Sequence, residues 1–192
     1  YVDHEIGRVI ETARDIPNTY IIFTADHGLS VGCHGLVGKQ SMYDHSMKVP
    51  FFISGPGIKA GSEFKMPIYL QDAMATSLEL AKVEKPAHVE FNSVLPLIRG
   101  EKKVQYPSIY GKYINSQRMI AKGDYKLIMY PKAQKVRLFN TVKDPEEMND
   151  LADKPEFKGL RIQLKMDFLK LQKEMADTLD VDAIPVKKNK KK

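Results

Sequence analysis

At 192 residues and 43% hydrophobic, the chain is long enough to bury a core of its own and too apolar to be a disordered polymer. Its formal charge of +6 does not argue for a nucleic-acid protein: five lysines stand in the terminal run 187–192, and residues 1–186 hold 25 basic against 24 acidic groups. The single cysteine, Cys33, excludes an internal disulfide and any multi-cysteine zinc site, and no apolar run of 18 residues offers a membrane span.

The chain opens inside a helical pattern over residues 1–13, with Val2, Ile6, Val9, Ile10 and Ala13 on one face and no initiating methionine, so it reads as a piece of something longer. Pro17-Asn18 turns it into an apolar strand over 19–25, whose continuous hydrophobic run reads as a central parallel strand. A second short strand, 49–54, ends at Gly55-Pro56-Gly57 and is assigned to the same sheet. Asp72 is placed to cap a helix through residue 82 that shows Met74, Leu78 and Ala81 on one face. From Tyr106 the texture changes to short strands at 108–114, 118–122 and 125–130, with Gly123-Asp124 as a hairpin turn and 136–139 as a fourth strand. Pro155 then begins a long helix whose Phe157, Leu160, Leu164, Phe168, Leu171 and Met175 form one stripe, the face expected to pack on that antiparallel sheet. The expectation is an α/β protein in three parts: an α/β core portion at 1–104, an antiparallel-sheet-plus-helix subdomain at 105–180, and a lysine-rich disordered tail at 181–192 with no specific nucleic-acid partner.

Chemistry concentrates at the end of the first strand. Open α/β sheets bind ligands at the carboxyl ends of their strands, and there Asp26 and His27 emerge. Asp26 is a hard oxygen donor suited to calcium or magnesium, and His27 adds nitrogen, so the pair is a candidate clasp for one divalent ion. Alone, an Asp after a strand is as well read as a turn former. The glycines at 28, 32, 35 and 38 let backbone approach a ligand, and Lys39 offers a compact charge for a tetrahedral oxyanion, with His34 as a second candidate for the same anion. His45 and His88 are read as histidines packed for structure.

Thr24-Ala25-Asp26-His27-Gly28, Gly32-Cys33-His34-Gly35, Gly38-Lys39, Tyr43-Asp44, Lys48-Val49-Pro50 and Ser54-Gly55-Pro56-Gly57, in that order, resemble the sulfatase family of the alkaline-phosphatase-like superfamily. The likeness continues through Gln71-Asp72, Leu95-Pro96-Leu97-Ile98-Arg99-Gly100, Gly123-Asp124-Tyr125-Lys126-Leu127-Ile128 and Asp144-Pro145-Glu146-Glu147, and covers about residues 1–171. It implies an alkaline-phosphatase-like sandwich with a mainly parallel sheet, of which this chain is the carboxyl-terminal part. It further implies hydrolysis of sulfate esters through a formylglycine made from a Cys/Ser-x-Pro-x-Arg motif. No such motif occurs here, since Gly35 and Val37 follow Cys33 where proline and arginine are required, so the nucleophile belongs to a missing amino-terminal part of the same protein.

By the same resemblance Asp26 and His27 are the late ligands of one Ca2+ ion, Lys39 contacts the sulfate, and His34 faces the substrate. Ala25, Cys33, Asp44 and Lys48 depart from the commoner serine, acidic residue, glutamate and arginine, and none of these removes a ligand. The alternatives are a formylglycine-type phosphonate or phosphodiester hydrolase of the same superfamily and a non-catalytic fragment or interaction module. Two-metal phosphatases are less well matched, because Asp3 is followed four residues later by Gly7 rather than histidine. A periplasmic or secreted location is what the resemblance implies.

Overall fold

The structure, a computed structural model, describes residues 1–182, so most of the lysine-rich tail read at 181–192 lies outside the described residues. Two compact units divide it: Tyr1–Asp26 with Val49–Gln105, and His27–Lys48 with Tyr106 onward. The Gly-rich segment therefore belongs to the second unit, although the strand that leads into it belongs to the first.

In the first unit α1 (Val2–Arg14) forms as its period implies, yet none of its side chains is buried among the described residues. Asn18, at φ 56°, takes the left-handed turn that asparagine tolerates, and β1 (Ile21–Thr24) follows. β1 pairs with β2 (Phe51–Ser54) as one sheet, but antiparallel, with Ile21 opposite Ser54 and Thr24 opposite Phe51. Among the described residues β2 is the one strand that pairs with β1. Continuous hydrophobicity reports burial on both faces, and carries no information on strand direction. α3 (Asp72–Leu80) begins at the expected aspartate, but Asp72 does not cap it: the fully buried carboxylate accepts the amides of Tyr69 at 3.0 Å and Asn92 at 3.1 Å. The short α4 (Leu95–Ile98) buries Leu95 and Leu97.

The second unit is a sandwich. β3 (Ile109–Tyr113), β4 (Gln117–Lys122), β5 (Tyr125–Tyr130) and β6 (Lys135–Asn140) form an antiparallel meander in chain order, with the 4–5 hairpin at Gly123-Asp124 as expected. α5 (Lys158–Glu174) covers one face: Leu164 and Phe168 pack on Tyr110, Ile120, Leu127, Met129 and Leu138. Each such side chain taken from water contributes about 1.5–3 kcal/mol. Met42 and Tyr43, from the bend ahead of α2 (Asp44–Met47), cover the other face against Met119, Ile128 and Phe139. The Gly-rich segment is thus held as a layer of the second core.

Candidate active site

His27 opens the second unit, and its amide neighbourhood shows why the segment needs glycine there. Gly28 donates its N–H to Ser46 O at 2.9 Å, and a Cβ added at Gly28 would lie 2.0 Å from the carbonyl oxygen of His45. That oxygen is backbone and cannot swing away. Gly28→Ala is accordingly expected to cost about 1–3 kcal/mol through overpacking, read as a lowered midpoint in urea unfolding; an unchanged midpoint would show that the approach of Gly28 to His45 is not tight.

The loop that follows is closed on Ser30, which is only 1% exposed. Its Oγ lies 2.7 Å from Gly38 O and 2.9 Å from Leu36 O, and its N–H donates to Gly38 O at 2.8 Å. Gly38 sits at φ 117°, a backbone region closed to ordinary side chains, and delivers Lys39 directly beyond the closure. The exposed Lys39 reaches back with its Nζ to Nε2 of His27. His27 Nδ1 faces Gly28 O at 2.9 Å; because a carbonyl only accepts, Nδ1 carries the proton and Nε2 presents the lone pair. The result is a compact cation and an imidazole lone pair at one spot on a closed loop.

Beyond Lys39 the chain is bound to the sheet. Gln117 clasps it, with Nε2 donating to Gln40 O at 3.0 Å and Oε1 accepting Met42 N–H at 3.2 Å. Lys126, 2% exposed within β5, pairs with Asp44 and stands 2.7 Å from Glu147, while Glu147 also accepts the Asp44 N–H at 2.6 Å. Burial pushes the Glu147 carboxyl above its usual range, against the pull of Lys126. Sequence reading assigned no role to Lys126 or Glu147. The available signal was a lysine inside the apolar run Tyr-Lys-Leu-Ile-Met-Tyr, since a charge in a buried strand must find a partner.

His34 is stacked on Tyr43, ring centroids 3.9 Å apart, and its Nε2–H donates to Glu146 O at 3.0 Å. With His45, Cys33 and Glu146 it lines a concavity of about 230 Å³. Burial, with His34 and Lys126 adding to it, lowers the pKa of His45 and favours its neutral form. Ser41 Oγ donates to Ser46 Oγ at 3.0 Å, and Ser46 lies 2.9 Å from His45 Nδ1. Asp26 is exposed at the end of the first unit, next to His27 in the chain. The structure therefore brings Lys39 to His27, and holds His34 on a different set of partners. Among the described residues no group of three or more His, Cys, Asp or Glu is arranged to hold a metal.

Comparison with known proteins gives these residues a context. A family model described as N-sulphoglucosamine sulphohydrolase, C-terminal, matches residues 32–174. The Delta 4,5-hexuronate-2-O-sulfatase of Bacteroides thetaiotaomicron is 30% identical over 202 residues, 96% of this chain and 42% of that protein. An arylsulfatase of Clostridium perfringens is 30% identical over 168 residues, 82% of this chain and 35% of that protein. The chain thus spans well under half the length of these curated relatives. The extracellular sulfatase SULF-1 homolog of Drosophila melanogaster is 36% identical over 101 residues, half of this chain and 9% of that protein. Among solved structures, BT4656 in complex with its substrate D-glucosamine-2-N,6-O-disulfate superposes at TM-score 0.85 with 29% identity, covering 94% of this chain and 40% of that one. A phosphonate monoester hydrolase from Silicibacter pomeroyi, at TM-score 0.79 and 23% identity over 94% of this chain and 40% of that one, shares the fold. With its alkaline-phosphatase-like α/β fold, the chain belongs to the sulfatase family, as a counterpart of the carboxyl-terminal portion of those enzymes.

Proposed function

We propose that the parent protein hydrolyses sulfate esters through a formylglycine nucleophile carried on a preceding part, with this chain supplying a sulfate-binding lysine and two ligands for calcium. The observation that carries the reading is the Lys39–His27 contact on the Ser30-closed loop, which holds a point charge and a nitrogen lone pair together. Lys39 binds a sulfate oxygen and offsets the negative charge that grows on the ester oxygens as the sulfur–oxygen bond breaks. Asp26 and His27 would hold one Ca2+ ion, completed by residues outside this chain, with His27 Nε2 exchanging Lys39 for the ion; a carboxylate oxygen and an imidazole nitrogen are a donor set that fits a divalent cation. When bound, such an ion lends Lewis-acid charge to the sulfate oxygens. His34 is assigned to the substrate side, its Nδ1 edge remaining as an acceptor once Nε2–H is given to Glu146.

A sulfated sugar as the ester is supported by the hexuronate sulfatase and by the glucosamine disulfate complex, at 30% and 29% identity. Phosphonate hydrolysis has support at the level of fold alone, with 23% identity. We divide the chain in sequence into a core portion at 1–104 and a subdomain at 105–180, the Gly-rich segment of the former packing with the latter, and take the chain by itself to be inactive. A secreted or periplasmic setting is supported by the extracellular relative; no described helix is long and apolar enough to cross a membrane.

Two measurements test the reading. The residues preceding Tyr1 in the complete protein must contain a Cys/Ser-x-Pro-x-Arg motif and early paired aspartates, and their absence ends the formylglycine mechanism. Asp26→Ala in the complete protein should abolish calcium retention in elemental analysis of purified enzyme, and full occupancy would remove Asp26 from the ligand set.

A further inference from the structure

We propose that the groove between α5 and β6 is a second binding site, for a linear sulfated saccharide; this rests on the sulfate-ester reading for its ligand class. The groove has a volume of about 540 Å³ and contains none of Asp26, His27, His34 or Lys39. Arg161 and Lys165 stand one helical turn apart on α5, and Lys158 extends the same row a turn toward the amino end. Lys135 faces the groove from the first position of β6, which is an edge strand, and has no ion-pair partner among the described residues.

Several details favour an anionic chain over a single ion. Arg161 gives one N–H to Ala152 O at 2.6 Å, which holds the guanidinium in place while its other donors remain for a ligand. The opposing carboxylates are in water: Asp153 lies 3.9 Å from Arg161 with its side chain 98% exposed, and Asp182 pairs with Lys165 at 2.5 Å with its side chain 65% exposed. Such exposed pairs are weak and yield to a ligand carrying several charges. The groove is also lined by Val136 and the half-exposed Ile162, apolar surface suited to the C–H faces of pyranose rings. No aromatic residue lines the groove, so a nucleic-acid strand finds no platform for its bases.

The test uses the full 192-residue chain with the five lysines of 187–192 changed to glutamine, so that the tail cannot supply the affinity. Calorimetric titration with a heparin-derived hexasaccharide should show saturable binding, and its desulfated counterpart should not bind. Lys135→Gln with Arg161→Gln and Lys165→Gln should weaken binding about tenfold. The pair Lys135→Gln and Lys165→Gln leaves the Arg161–Ala152 bond intact and should weaken it in the same direction, whatever the triple variant does to folding. Absence of saturable binding, groove variants that bind unchanged, or single-stranded DNA bound as tightly would each overturn the proposal. Turnover of a small aryl sulfate by the complete protein reports on Lys39 and not on the groove, so failure of either reading is seen separately.

Discussion

Lys39→Ala in the complete protein is expected to lower kcat/KM for a sulfate ester by about 10²–10³-fold, the loss seen when one preorganised donor is removed from a developing oxyanion. The loop geometry makes the experiment clean. Lys39 is exposed and its charge touches His27, whereas the loop is held by Ser30 on Leu36 and Gly38 and by Gly28 on Ser46. Removing the ammonium therefore leaves the closure intact, and the variant should unfold at the parental urea midpoint. Lys39→Arg should rescue only part of the activity, because a planar fork does not reproduce a compact charge on a loop shaped for one. Parental turnover in the alanine variant would remove Lys39 from its role.

Asp177→Ala is expected to destabilise the second unit by about 3–5 kcal/mol, the cost of stranding a buried charge. Arg118, 2% exposed, donates Nε to Asp177 Oδ2 at 2.5 Å and Nη2 to Oδ1 at 3.0 Å. Tyr110 O–H, Gln172 Nε2 at 3.2 Å and Leu179 N–H at 3.3 Å donate to the same carboxylate. Arg118 above all, with Tyr110 and Gln172 helping, holds the Asp177 carboxyl far below its usual range, against the opposing effect of burial. A carboxylate with a depressed folded-state pKa adds stability in full above its unfolded pKa. That stability is lost as pH falls from the ordinary carboxylate range toward the folded value. Urea unfolding from neutral pH down to about pH 2 should therefore show the parent's advantage over Asp177→Ala shrink on acidification. Replacing Arg118 with methionine and Asp177 with leucine together should recover much of the loss, since no charge is then left alone. A single alanine variant as stable as the parent would show that the pair carries no net weight.

Much of the local structure could be read directly. The three-and-four spacing of Leu160, Leu164, Phe168 and Leu171 gave α5 and its core face, and the runs around Gly123-Asp124 gave the β4–β5 hairpin. The ordered motifs from Thr24 to Gly57 carried the family, because several short constraints in one order are jointly specific where Asp-His-Gly alone is not. That β1 and β2 share a sheet was legible, but the antiparallel direction of that pair was not, since a four-residue apolar run has the same pattern in either direction. The capping role given to Asp72 failed for a related reason: a carboxylate at a helix start satisfies whichever amides the fold brings to it, here those of Tyr69 and Asn92.

Residue type and local period were enough to choose Asp26, His27, His34 and Lys39 as candidates, because donor chemistry and glycine placement are properties of neighbouring positions. Which of them meet is a long-range matter. Lys39 reaches His27 across twelve residues only because Ser30 closes the intervening loop, while Lys126 and Glu147 hold Asp44 from positions more than eighty residues away. His34 is drawn instead to Tyr43 and to the Glu146 carbonyl. Such pairings depend on desolvation and packing between distant segments, and these arise only when the sheet, α5 and the Gly-rich layer close on one another.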